Sequence, residues 1–271
     1  MARKVVLIGC GNMGYAMLKG WLDSGVLAPG AVCVVEPSEA LRKRAAAAGA
    51  SAVADAKEVT AGPAPDLAVV AIKPQVIRDV MPAYRPFAEK GATFLSIAAG
   101  TGIATFEEIL GREAAVMRCM PNTPAAIGKG MMVVFSKPNV RTEIRDFVNA
   151  LLATSGAVAT VDDEKLMDAV TAVSGSGPAY VFHFIECLAA AGEKAGLPAE
   201  TAKLLALQTV FGAACLAKES GEEPARLREQ VTSPGGTTAA ALSVLMGGNR
   251  LCALLAEAVE AARKRGIELG K

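Results

Sequence analysis

The residues best placed to do chemistry are small and polar, and they fall in a few tight groups. Gly9-Cys10-Gly11-Asn12-Met13-Gly14 is a G-x-G-x-x-G turn that follows the apolar run 4–8 and opens the helical pattern 12–24. In that setting Gly9 permits a tight bend, Gly11 lets a pyrophosphate approach the backbone, and Gly14 lets the helix pack closely on the strand. The helix start, with Asn12 and Met13, adds N–H donors and a positive dipole end. The turn predicts a bound dinucleotide. Glu36 lies 22 positions after Gly14, where an acid accepts the ribose hydroxyls of NAD and repels a 2′-phosphate. Ser38, Arg42, Lys43 and Arg44 follow at once, and a hydroxyl with a guanidinium could bind that phosphate instead. NADH and NADPH both stay open as cofactors.

Further candidates lie where later strands should end in the same crevice: Ala71, Lys73 and Pro74, then Ala99, then Asn122 between Pro121 and Thr123-Pro124. Asn122 could orient a nicotinamide or make an Asx-type turn. Ser174-Gly175-Ser176-Gly177-Pro178 reads as a small-residue helix break, suited to close approach by a ligand or by another helix. Ser233-Pro234-Gly235-Gly236-Thr237-Thr238 can aim backbone N–H groups inward at a helix start, which makes either an anion site or a helix junction. His183, the single histidine, sits in the apolar stretch 179–188 and reads as a packed helix residue rather than an acid.

Those groups need a scaffold, and the hydropathy pattern supplies one. Runs at 4–8, 32–35, 67–72, 93–97 and 115–118 are apolar almost throughout, as strands buried on both faces should be. Helical patterns at 12–24 and 39–48 separate them and end near Gly25 and Gly49. The order predicts an α/β Rossmann-type domain over 1–161, doubly wound with a mostly parallel sheet. From 162 to 271 the strand signal is gone; Asp162 and Asp163 can cap a helix, and helices break at 174–178, 196–198, 221–224, 232–236 and 247–249. The last helix is expected to end at Gly266. Over 204–216 apolar residues cover nearly the whole helix circumference, so this all-α domain is expected to dimerise.

Bulk composition narrows the class of function. With 28 Lys+Arg against 27 Asp+Glu the net charge is +1, which gives no field for nucleic acid or an anionic membrane. Aromatics are only 4%, too few to stack bases. Six scattered cysteines and one histidine lack metal-ligand spacing and read as buried, reduced thiols, so no metal is expected and the cytoplasm is the expected compartment. No uncharged apolar run reaches the eighteen or so residues that span a bilayer.

The runs 9–14, 71–74, 118–124, 168–180 and 231–238 together resemble, in order and spacing, the pyrroline-5-carboxylate reductase family, over nearly the whole chain. The resemblance implies NAD(P)H-dependent reduction of the cyclic imine 1-pyrroline-5-carboxylate to L-proline, the last step of proline biosynthesis. It implies that Ser233, Gly236, Thr237 and Thr238 hold the substrate carboxylate, with the Thr238 hydroxyl near the ring nitrogen, and that Ser176 lies beside the nicotinamide. It also implies a homodimer through the C-terminal helices, commonly built into a higher oligomer. A cyclic imine accepts hydride as its own iminium, so a chain without a positioned histidine suits the reaction. Two residues depart from the family's NADPH-preferring pattern: Glu36, and Ala56 where a polar residue is common.

Overall fold

The computed structural model describes residues 3–270. By chain contacts it divides into two compact units, one of residues up to Ser176 together with those from Ala262 on, the other Gly177–Ala261. The division differs from the expected 161/162 boundary. Residues 162–176 are tied to the sheet unit, where Glu164 Oε1 accepts from Arg118 Nη1 at 2.7 Å and from the Ile103 backbone N–H at 2.8 Å. The final helix turns return to the same unit, with Gly266 against Asp168 and Gly270 against Gly100.

The sheet unit is built on eight strands: β1 (Val5–Ile8), β2 (Val32–Val35), β3 (Ser51–Val53), β4 (Leu67–Val70), β5 (Thr93–Ser96), β6 (Ala115–Met120), β7 (Gly130–Ser136) and β8 (Gly156–Val161). Their spatial order is β3-β2-β1-β4-β5-β6-β7-β8, parallel except for the β6–β7 pair. β1 has parallel neighbours on both sides, with Val5 opposite Val32 and Leu67. Its alternate side chains therefore enter two cores. Val5 and Leu7 meet Met17, Leu18 and Trp21 of α1 (Asn12–Asp23), whereas Val6 and Ile8 join Ile77, Phe94 and Phe106 on the other face. This two-sided burial is why the strand is apolar at every position. α2 (Glu39–Ala47) follows β2, and α3 (Ile103–Leu110) and α4 (Thr142–Ala153) complete the layers.

Three strands had no counterpart in the sequence reading: β3, β7 and β8. The start of β7 against β8 also explains a glycine pair. A Cβ on Gly156 would fall on the Gly130 carbonyl, and one on Gly130 would meet the Ala125 backbone at 2.8 Å.

The second unit holds α5 (Gly177–Lys194), α6 (Ala199–Ser220), α7 (Pro224–Gln230), α8 (Thr237–Met246) and the first part of α9 (Arg250–Leu269). α5 and α6 pack through small residues. Ala189, Ala202 and Ala206 are buried, and a Cβ on Gly192 would meet Ala202 at 3.3 Å. The expected break at 174–178 is instead a π-helical turn, Thr171–Gly175, that leads into α5, with the Ser176 N–H donating back to Thr171 O. Gly266 does not end α9, which runs on to Leu269; the glycine is buried there because Asp168 packs on it. His183 is exposed on α5, with Nδ1 3.0 Å from Glu186 Oε2. Of the six free cysteines only Cys10 and Cys119 are buried, while Cys187 and Cys252 are exposed.

The stretch Thr237–Leu269 is long and apolar enough, by length and composition, to cross a membrane. A kink at Gly248 (φ 61°) interrupts it. The ten residues of α8 span about 15 Å, half of a bilayer's hydrocarbon core.

Candidate nucleotide-binding site

The glycine turn makes sense position by position. Gly9 has φ +88°, and a Cβ there would strike the Ala71 carbonyl at 2.7 Å. A Cβ on Gly14 would lie 2.8 Å from Gly9 O, so the chain's own packing requires the first and third glycines. Nothing lies within 4 Å of the missing Cβ of Gly11. That open side is the cradle a pyrophosphate needs, and Gly11 is the N-cap of α1 with no side chain capping it. The first N–H groups of α1 have no intrahelical acceptor and stay available to an anion.

An open crevice of about 410 Å³ lies beside this helix start, at the carboxyl ends of the central strands. Gly11, Asn12, Met13 and Gly14 form one wall, and Ala71, Lys73 and Pro74 after β4 form another. Ala99 after β5, Asn122 after β6 and Gly175 of the π turn complete it. The sequence had named all of these except Gly175 as cofactor contacts. Gly9 lies beneath the turn, and Glu36 and Ser38 lie at the end of β2, outside the crevice lining.

Asn122 is already committed to the fold. Its Nδ2 donates to Ser174 O at 3.1 Å and its Oδ1 accepts the Met131 N–H at 2.8 Å, which ties β6, β7 and the π turn together. One N–H and one lone pair of the amide remain for a ligand.

Glu36 is buried at the end of β2 and accepts two backbone N–H groups, Cys10 at Oε2 (2.8 Å) and Ser38 at Oε1 (2.9 Å). Arg44, expected in a solvated or phosphate-binding cluster, is half-buried and reaches the glycine turn. Its Nη2 donates to Cys10 O at 2.8 Å and Gly11 O at 3.3 Å, and the guanidinium lies 4.1 Å over the Tyr15 ring. In planar trans peptides the N–H points opposite the C=O, so Arg44 turns the Gly11 and Asn12 N–H groups away from itself. No spacing rule could have found this contact, because it depends on the β1–β2 pairing that sets α2 beside α1. Burial raises the Cys10 thiol above its ordinary range, Arg44 opposing, so the residue inside the turn stays a neutral thiol at physiological pH.

The loop 233–238 belongs to the helical unit and leads, as expected, into a helix start. Gly235 has φ +68°, Gly236 is the N-cap of α8, and the Gly236 N–H donates to Ser233 O at 3.0 Å. Ser233 and Thr237 are exposed and Thr238 is half-buried.

A doubly wound sheet, a glycine turn with an open cradle, an acid at the second strand end and a helical C-terminal unit define a Rossmann-type NAD(P)H-dependent oxidoreductase. Residues 164–269 match the family model for pyrroline-5-carboxylate reductase dimerisation, and residues 4–100 match that for NADP oxidoreductase, coenzyme F420-dependent. The chain is 39% identical to the pyrroline-5-carboxylate reductase of Pseudomonas aeruginosa, over 99% of its own length and 97% of the relative's. It superposes on a pyrroline-5-carboxylate reductase structure from Coxiella burnetii with TM-score 0.94 at 33% identity, covering all of both chains. A Plasmodium falciparum pyrroline carboxylate reductase with NADP bound matches with TM-score 0.85 at 32% identity, over 99% of this chain and 98% of that one. The chain belongs to the pyrroline-5-carboxylate reductase family.

Proposed function

We infer that this chain reduces the C=N bond of 1-pyrroline-5-carboxylate to give L-proline, with NADH or NADPH as the reductant. The observation that carries the reading is the convergence of the β4, β5 and β6 ends on one crevice against the start of α1, in a chain whose whole length follows the family. When bound, NAD(P)H supplies a hydride to the imine carbon, and the ring nitrogen takes a proton.

The chain's own residues bind and orient. Gly9 and Gly14 shape the turn; the N–H groups of Gly11, Asn12 and Met13 hold the pyrophosphate. Glu36 and Ser38 face the adenosine ribose. Ala71, Lys73, Pro74, Ala99 and Asn122 border the nicotinamide, and Ser176 borders the substrate. Ser233, Gly236 and Thr237 take the carboxylate, which suits a loop with flexible glycine backbone at a helix start. The Thr238 hydroxyl donates a hydrogen bond at the ring nitrogen and is the proposed proton donor. Catalysis then rests on proximity and orientation more than on a strong acid.

The assembly is a homodimer through the C-terminal helices, and dimers build a higher oligomer. Supporting this, Leu204 (65% exposed), Phe182 and Phe211 lie open on α5 and α6 in the single chain, and such surface is costly in water. The cytoplasm suits free thiols. The test is imine-dependent loss of reduced nicotinamide, run with NADH and with NADPH, with proline identified as product. Cofactor oxidation without proline, or none at all, overturns the reading.

A further inference from the structure

Resting on the dinucleotide reading, the geometry points to a selectivity that family membership leaves open: this chain takes NADH in preference to NADPH, and Glu36 is the residue that decides it. Glu36 is held from two sides, since the Cys10 and Ser38 N–H groups each fix one carboxylate oxygen. It is only 7% exposed, so its charge is poorly screened by water. A carboxylate can only accept hydrogen bonds. The two hydroxyls of a plain ribose can donate to its remaining lone pairs, whereas a 2′-phosphate brings a second anion and no donor.

A 2′-phosphate would look to nearby cations, and those beside Glu36 already make contacts of their own. Arg42 Nη1 donates to Glu36 O at 2.8 Å and Pro37 O at 2.7 Å. Arg44 Nη2 donates to Cys10 O and Gly11 O and the guanidinium stacks on Tyr15, with Nε buried and unpartnered. Lys43 pairs with Glu39 at 2.7 Å. Main-chain carbonyls thus fix where each arginine sits, Arg42 at the end of β2 and Arg44 in the glycine turn, while their other N–H groups stay uncommitted to these contacts. Selection is thus set by the fixed acid, which is held in place by two backbone N–H groups.

The experiment measures binding without turnover: calorimetric titration of the full chain with ADP-ribose and with 2′-phospho-ADP-ribose. The wild type is expected to bind the plain fragment at least tenfold more tightly. Glu36→Ser removes the charge and should narrow that ratio by tenfold or more. Glu36→Gln keeps an oxygen for one of the N–H donors and should narrow it too, which covers the case in which the serine variant fails to fold. Equal or tighter wild-type binding of the phosphorylated fragment overturns the proposal, as does an unchanged ratio in a folded variant. If neither fragment binds, the proposal and the dinucleotide reading fall together. Equal binding alongside active imine reduction removes the selectivity alone.

Discussion

The two units treat their large apolar side chains in opposite ways. In the sheet unit Trp21, Tyr84, Phe87, Phe94 and Phe106 are all at most 1% exposed. Between Gly177 and Ala261 the buried hydrophobic residues are three alanines, while Phe182 and Phe211 are 58% and 61% exposed. The first unit closes a core from its own sequence. The second is apolar without an interior to match, as fits a unit that matches the family's dimerisation model. A sheet unit with a closed core and a helical unit with open apolar faces should therefore respond differently to perturbation.

The sharpest contrast is predicted for Trp21→Ala, a truncation inside the closed core. It should cost about 3–5 kcal/mol of unfolding free energy, read by denaturant titration. Loss below 1 kcal/mol would mean that the sheet unit also leans on the assembly. Next in size, Phe211→Asp should convert the oligomer to monomer in sedimentation and lower imine reduction more than tenfold, with ADP-ribose binding preserved. A variant that stays oligomeric removes the exposed face of α6 from the interface. Thr238→Ala should then cost about 1–3 kcal/mol in kcat/KM while cofactor affinity holds; unaltered kinetics would exclude its hydroxyl from the reaction.

The smallest effect separates the units by pH. Burial raises the Cys119 thiol far above its ordinary value of 9.0, and burial raises Cys10 and Tyr84 as well. Groups whose folded pKa is raised contribute stability fully present below the unfolded pKa and lost as pH rises toward the folded one. All three lie in the sheet unit, so its unfolding midpoint should fall above about pH 9. A flat profile there, followed by near-ultraviolet circular dichroism, would show that these groups are better hydrated than their burial suggests.

Much of this was legible in the sequence because it is local. The step from β1 through the glycine turn to α1 needs only period, glycine spacing and a helix start, and Gly25 and Gly49 end α1 and α2 with φ of +73° and +101°. The place of Glu36 at the end of β2 was legible for the same reason, by distance along the chain. What escaped depends on partners far away. β3 has three residues at a sheet edge, too short for a periodic signal. The antiparallel β7 is set by pairing with β6 and β8 rather than by composition. Asn122 meets Ser174, 52 positions on, and Arg44 meets Cys10, 34 positions back. Gly266 looked like a helix stop because propensity said so, and Asp168 packing on it overrode that preference.

The return of the last helix turns to Gly100 and Asp168 makes the nucleotide platform discontinuous in sequence. Shuffling between relatives at a single crossover near residue 161 or 176 would therefore join a borrowed platform to an unmatched tail. Chimeras that exchange 262–270 along with the N-terminal portion should inherit the donor's complementary surfaces intact, and hybrids that leave it behind should not.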